Sequence, residues 1–104
     1  DMVFDVRCFK NPYYLDSLRD LTGKDPLVRD FVFSDPMARA FTSRLIDLLA
    51  FMIPCYVAEG RAQLEVAIGC TGGHHRSVAI AERVAEHIND HLMYCSVCHR
   101  DILI

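Results

Sequence analysis

Leu64-Glu65-Val66-Ala67-Ile68-Gly69-Cys70-Thr71-Gly72-Gly73-His74-His75-Arg76-Ser77-Val78 changes periodicity part-way along its length. Leu64, Val66 and Ile68 alternate as one face of a strand does, and the small apolar Ala67 on the other face predicts burial on both sides. From about His75 the apolar positions Val78, Ala81, Ala85 and Ile88 recur at helical spacing, with Glu82, Arg83, Glu86 and Asn89 facing outward. Met93 to Arg100 then reads as a further strand. Strand, glycine loop, helix and strand from Leu64 to Arg100 predict a βαβ unit.

The loop between strand and helix carries the chemistry. Ligands of open α/β sheets bind just outside the carboxyl ends of strands, and a helix start offers unpaired N–H groups and a positive dipole end. Gly72 and Gly73 let the backbone wrap closely, Thr71 and Ser77 add hydroxyls, and Arg76 offers a fork that matches two phosphate oxygens. A plain tight turn is the alternative. Against it, a cation in the first turn of a helix is unfavourable unless something compensates it. Cys70, five residues, Arg76 and Ser77 also reproduce the C-x5-R-S spacing of cysteine phosphatases, in which a helix start lowers the thiol pKa. Gly69 stands where many such enzymes carry histidine, and a general acid would have to come from Asp25, Asp35 or Asp101.

Outward from this unit, Met2 to Phe9 alternates as a strand and sets Asp5 and Arg7 on one face near its end. Lys10 to Lys24 reads as a loop, with turn signals at Asn11-Pro12 and Thr22-Gly23. Asp25-Pro26 and Ser34-Asp35-Pro36 are helix starts. The second opens the longest helix, with Ala38, Phe41, Leu45, Leu48 or Leu49, and Met52 on its apolar side. Pro54 should kink or end it, and Gly60 closes the segment. Phe31, Phe33, Phe41 and Phe51 follow helical periods and are expected in the core. The fold class expected for residues 1–104 is α/β: a single three-layer domain with a small, mostly parallel sheet and a βαβ unit around a Gly-rich anion-binding loop.

The 104 residues suit one domain, and the net charge of -3 argues against a dedicated nucleic-acid binder. No uninterrupted apolar run approaches the roughly 20 residues that span a bilayer. No export leader is visible ahead of Met2, and Asp1 suggests a fragment or a processed chain. Five cysteines are an odd number and are expected as reduced thiols in a cytoplasmic protein. Cys95-Ser96-Val97-Cys98-His99 matches the c-type haem pattern, but on a strand its two thiols would face opposite sides, which also weakens a zinc site. No metal and no cofactor are expected. His87 and His91 are expected to cap the end of their helix, and His74 to lie in solvent.

Asp5-Val6-Arg7, Asn11-Pro12-Tyr13, Leu21-Thr22-Gly23-Lys24-Asp25, Ala67 to Gly73, His75-Arg76-Ser77-Val78 and His99-Arg100 occur in that order. Together they resemble the C-terminal domain of the RapZ family, the bacterial RNase adapter proteins. The resemblance implies a binding domain rather than a phosphatase: an α/β domain similar to a phosphofructokinase subdomain that senses glucosamine-6-phosphate. It further implies contacts with small regulatory RNA and RNase E, and a homo-oligomer. By position, the phosphate would meet Cys70, Thr71, Gly72, Gly73, His75, Arg76 and Ser77. Asp5 and Arg7 would lie at the same sheet edge, with Asn11 nearby, and His99 and Arg100 would close the site. Tyr13 replaces a frequent histidine, the basic tail of RNA-binding members is missing after Arg100, and no G-x-x-x-x-G-K-S/T phosphate loop occurs. Neither ATP nor GTP hydrolysis is expected of these residues.

Overall fold

The computed structural model describes residues 2–101; Asp1 and 102–104, which include the non-basic end noted above, lie outside the described residues. The elements run β1 (Met2–Asp5), a 3-10 turn (Pro12–Tyr14), α1 (Asp16–Arg19), α2 (Pro26–Phe33), α3 (Pro36–Glu59), β2 (Val66–Gly69) and α4 (Arg76–His91). β1 and β2 pair in parallel, Met2 opposite Val66 and Asp5 opposite Gly69. This is a mixed helix and strand architecture around a small parallel sheet.

The two strands alternate as their sequences require. Met2, Phe4, Val66 and Ile68 pack toward the core. Val3 is 81% exposed, and Ala67 is exposed beside it. The described helices cover one face only, so the domain has two layers rather than the expected three, and Ala67 lies on the bare face.

The βαβ unit expected between Leu64 and Arg100 is not formed among the described residues, because residues 93–100 contain no strand. The reason is local. Asn89 on α4 donates from Nδ2 to the Cys95 carbonyl (2.8 Å) and accepts the Cys95 N–H at Oδ1 (2.9 Å). Both backbone groups that a neighbouring strand would need at Cys95 are thus taken. The parallel connection instead runs from β1 to β2 through α1, α2 and α3.

Both predicted helix starts form. Asp25 caps α2 by accepting the Leu27 N–H (2.9 Å), and Asp35 caps α3 by accepting that of Met37 (2.9 Å), with proline next in each case. Val28 and Val32 of α2 and Ala38, Thr42, Leu45, Ile46 and Leu49 of α3 are buried. By length and composition α3 could cross a bilayer, yet these five residues, none of them beyond Leu49, belong to the core or its edge.

Beyond Leu49 no residue of α3 is fully buried, although half-buried Ile53 still packs against the core. Phe31, Phe33 and Phe41 pack against the core as expected, but Phe51 is 70% exposed. Pro54 does not end the helix, which continues to Glu59. It falls on the unburied half, where water can take the carbonyl that its missing N–H frees. Gly60 closes the helix at φ 91°, and Arg61 N–H reaches back to the Tyr56 carbonyl (3.1 Å). The region read as a plain loop holds the 3-10 turn and α1, with Asn11 Oδ1 accepting the Tyr13 N–H (3.1 Å) and Leu18 buried.

One contact fixes how the chain before α2 meets α4. Gly23 donates to the His74 carbonyl (2.7 Å), and a Cβ on Gly23 would lie 2.4 Å from both Ala79 N and the His75 carbonyl oxygen. Those are backbone atoms of a helix start and cannot yield. Gly23→Ala is expected to destabilise the domain by about 3 kcal/mol, read as a lower urea midpoint at unchanged slope.

The Asp35 cap makes stability depend on pH. The Met37 amide first, and then the Lys10 amide, hold its carboxyl below the ordinary range. A lowered folded pKa gives stability that is fully present above the unfolded value and lost as pH falls through the folded one. Asp35→Ala is expected to lose about 1 kcal/mol near neutrality. The gap from the parent should shrink below about pH 3.9, measured by denaturant titration at pH 7 and pH 3.

Candidate ligand-binding site

The carboxyl ends of β1 and β2 lie side by side, joined past the strands by Val6 N–H donating to the Gly69 carbonyl (2.8 Å). A cleft of about 430 Å3 opens there, lined by Val3, Phe4, Asp5, Arg7, Gly69, Cys70 and Thr71. Asp5 and Arg7 are expected neighbours on the sequence, and they meet in space. Arg7 Nε lies 2.8 and 3.0 Å from the two Asp5 carboxylate oxygens, and the Arg7 N–H donates to Oδ1 (2.9 Å). The Arg7 guanidinium, through these hydrogen bonds, holds the Asp5 carboxyl below its ordinary range. Both side chains remain more than half exposed, so the pair is open to exchange partners with a ligand.

Past Thr71 the backbone turns through Gly72 (φ 80°) and Gly73 (φ 69°), two successive left-handed residues that only glycine adopts without strain. The turn delivers the chain to α4. Ser77, in the first turn of α4, donates its N–H to Cys70 Sγ (3.4 Å), and its hydroxyl lies 3.2 Å from the same sulfur. The half-buried thiol is therefore tied to the helix start.

Arg76 takes an unexpected direction. It is only 3% exposed, and its Nη1 donates to the carbonyls of Arg7 and Phe9, the latter at 3.2 Å. Its Nε is buried without a partner. The side chain passes beneath the segment that follows β1 and holds it, rather than standing over Cys70. His75 is likewise buried and donates from Nε2 to the Arg19 carbonyl (3.0 Å), which anchors α1.

The remaining expected site residues lie apart from the cleft lining. Asn11 caps the 3-10 turn. The His99 side chain is 8% exposed, with Nε2 3.3 Å from Glu82 Oε1 but out of line for a hydrogen bond. Arg100 is almost fully exposed and pairs with Asp101 (3.1 Å). His74, expected in solvent, is half-buried and donates from Nε2 to the Asp101 carbonyl (2.8 Å). Asp101 packs on Gly73, a neighbour that no local sequence pattern signals.

Cys95 and Cys98 do not lie on a strand, so the opposite-face argument does not apply to them. Cys95 is half-buried, its thiol pKa pushed up by burial, and Cys98 is exposed. Among the described residues no three His, Cys, Asp or Glu side chains converge as metal ligands would. His87 and His91 pack ring against ring, centroids 4.4 Å apart.

The RapZ C-terminal domain model matches residues 1–103. The chain belongs to the RapZ C-terminal domain family. Among its relatives, a nucleotide-binding protein of Macrococcus caseolyticus is 50% identical over 105 residues, covering 100% of this chain and 35% of the relative. One from Bacillus pumilus is 52% identical over 103 residues (98% and 34%), and the nucleotide-binding protein YvcJ of Bacillus subtilis is 51% identical over 102 residues (98% and 34%). The chain spans about a third of the length of these curated relatives.

In this RapZ C-terminal domain, Arg76 is the residue that ties α4 to the end of β1. Arg76→Ala would leave the Arg7 and Phe9 carbonyls short of a charged donor. The expected loss is about 2–3 kcal/mol, with faster amide exchange over residues 6–9 in hydrogen-exchange mass spectrometry.

Proposed function

We propose that this domain is a regulatory module that binds a small phosphate-bearing ligand, an amino-sugar phosphate such as glucosamine-6-phosphate, without turning it over. The observation that carries the reading is the cleft at the paired carboxyl ends of β1 and β2, which joins the Asp5 carboxylate, the Arg7 guanidinium and Thr71, the residue before the Gly72-Gly73 turn. In parallel sheets this is where ligands collect. Membership of the family and the likeness to the nucleotide-binding proteins named above support a phosphate-bearing ligand.

In this reading Arg7 exchanges Asp5 for the phosphate, and Asp5 turns to an ammonium or hydroxyl of the sugar. Thr71 and the Gly72-Gly73 turn lie along the same rim and contribute hydroxyl and amide donors. Cys70 and Ser77 shape the floor. Arg76 positions the Arg7 segment from below. His75 secures α1, and His99 and Arg100 act through the chain that follows α4. A cytoplasmic setting accords with five unpaired cysteines. Contacts with small regulatory RNA and RNase E, and self-association, are what the family resemblance adds for this domain, and the net charge of -3 offers an RNA little attraction.

The phosphatase alternative needs an arginine that faces a phosphate over the thiolate. Arg76 is committed to two carbonyls instead, which favours binding over catalysis.

Calorimetry on the purified chain should give saturable heat with glucosamine-6-phosphate. Arg7→Ala should weaken it by about tenfold, through loss of the charge-assisted contact to the phosphate. No heat from a folded protein would overturn the reading. Release of phosphate from an aryl phosphate, abolished by Cys70→Ser, would establish the phosphatase in its place.

A further inference from the structure

The residues after α4 follow a defined path. Met93 N–H returns to the Ile88 carbonyl (3.0 Å), and Asn89 then clasps both backbone groups of Cys95. His99 comes to rest against Glu82. The Asp101 carbonyl accepts from His74. On α4 these anchors step back from residue 89 to residue 82, two helical turns or about 10 Å, and then to the residue before its N-cap. The segment therefore runs antiparallel to α4, from its C-terminal end to its N-terminal end, without forming a ladder.

It delivers a carboxylate to the glycine turn. A Cβ on Gly73 would lie 3.2 Å from Asp101 Cβ and 3.4 Å from Asp101 Oδ2. Negative charge is favoured ahead of a helix start, and the chain supplies that charge itself. We propose that residues 93–101 form an autoinhibitory strap whose Asp101 carboxylate occupies the anion position of the glycine turn, so that a ligand phosphate enters by displacing it. The inference rests on the ligand reading above and adds the regulation of that site.

The strap has the features such a device needs. Cys95 packs against the core, but beyond it the attachments are contacts at His99 and Asp101, weak net of the water they replace, so the end of the strap can release without disturbing the core. Asp101 is held through its backbone by His74, while its carboxylate pairs with Arg100, a neighbour on the same strap. Displacement would carry carboxylate and guanidinium away together and leave no buried charge behind.

The test compares the full chain with Asp101→Asn and with His74→Ala, which unties the strap and leaves the carboxylate in place. Calorimetry with glucosamine-6-phosphate should show tighter binding by about two- to fivefold in Asp101→Asn, the range a single charge near a helix start accounts for. His74→Ala should move in the same direction. In the parent, added ligand should speed amide exchange over residues 99–101 in hydrogen-exchange mass spectrometry. Parent binding with neither variant tighter, or with ligand slowing exchange over 99–101, would overturn the strap while leaving the ligand reading intact. Absence of binding in the folded parent and both variants would overturn both.

Discussion

The buried guanidinium of Arg76 is the contact on which the site geometry depends. As the first residue of α4 it reaches across to the carbonyls of Arg7 and Phe9, so the helix and the end of β1 are one rigid unit. Those carbonyls lie past the last paired residue of β1, where no ladder would satisfy them. Both bonds come from one nitrogen, Nη1, whose two protons meet the two carbonyls, and the guanidinium stays charged while buried. Arg7 is thus presented from a backbone that another arginine holds, and the exposed Asp5–Arg7 pair inherits its orientation from a buried one.

Gly23 completes this frame from the opposite side. The turn before α2 fits against the backbone of the first α4 turn because nothing projects from Gly23. His75 adds the third tie, to the end of α1. Three consecutive residues, His74, His75 and Arg76, therefore hold three separate parts of the chain: the strap, α1 and the β1 end. A histidine pair and an arginine at a helix start look like ligand groups because their chemistry is that of ligand groups. Here that donor capacity is spent largely on carbonyls of the chain itself.

This explains which parts of the molecule were legible in the sequence. Helix starts at Asp25-Pro26 and Asp35-Pro36 were, since a cap is a contact between residues two apart. The alternating faces of the two strands and the glycine turn were, since period and φ are local properties, although the first strand stops at Asp5 and does not reach Phe9. The run from Met93 to Arg100 was not, because its alternation matches a strand and only the Asn89 amide, on α4, takes the pairing groups of Cys95. Phe51 is exposed because it stands two residues past Leu49, about 200° round the helix from that buried side, while Ile53 on the buried side still packs against the core. Asp5 and Arg7 could be placed together from spacing alone. The direction of the Arg76 side chain and the return of Asp101 to Gly73 required contacts across 69 and 28 residues.

The charge pattern around the cleft bears on which phosphate-bearing ligand suits it. Asp5 stands on the cleft rim and Asp101 against the glycine turn, so two carboxylates flank a position proposed for an anion. Arg7 is the single cation among the cleft-lining residues. A ligand that carried only negative charge would gain Arg7 and face repulsion from Asp5 once their pair opened. A ligand with an ammonium beside its phosphate hands Arg7 to one group and Asp5 to the other, and each charge of the opened pair finds a new partner. Both groups are open to water, so each contact is modest, and only a ligand that re-pairs both charges at once avoids leaving one of them unmatched. Under the proposed function, that makes the exposed ion pair the feature that would favour an amino-sugar phosphate over a ligand carrying negative charge alone.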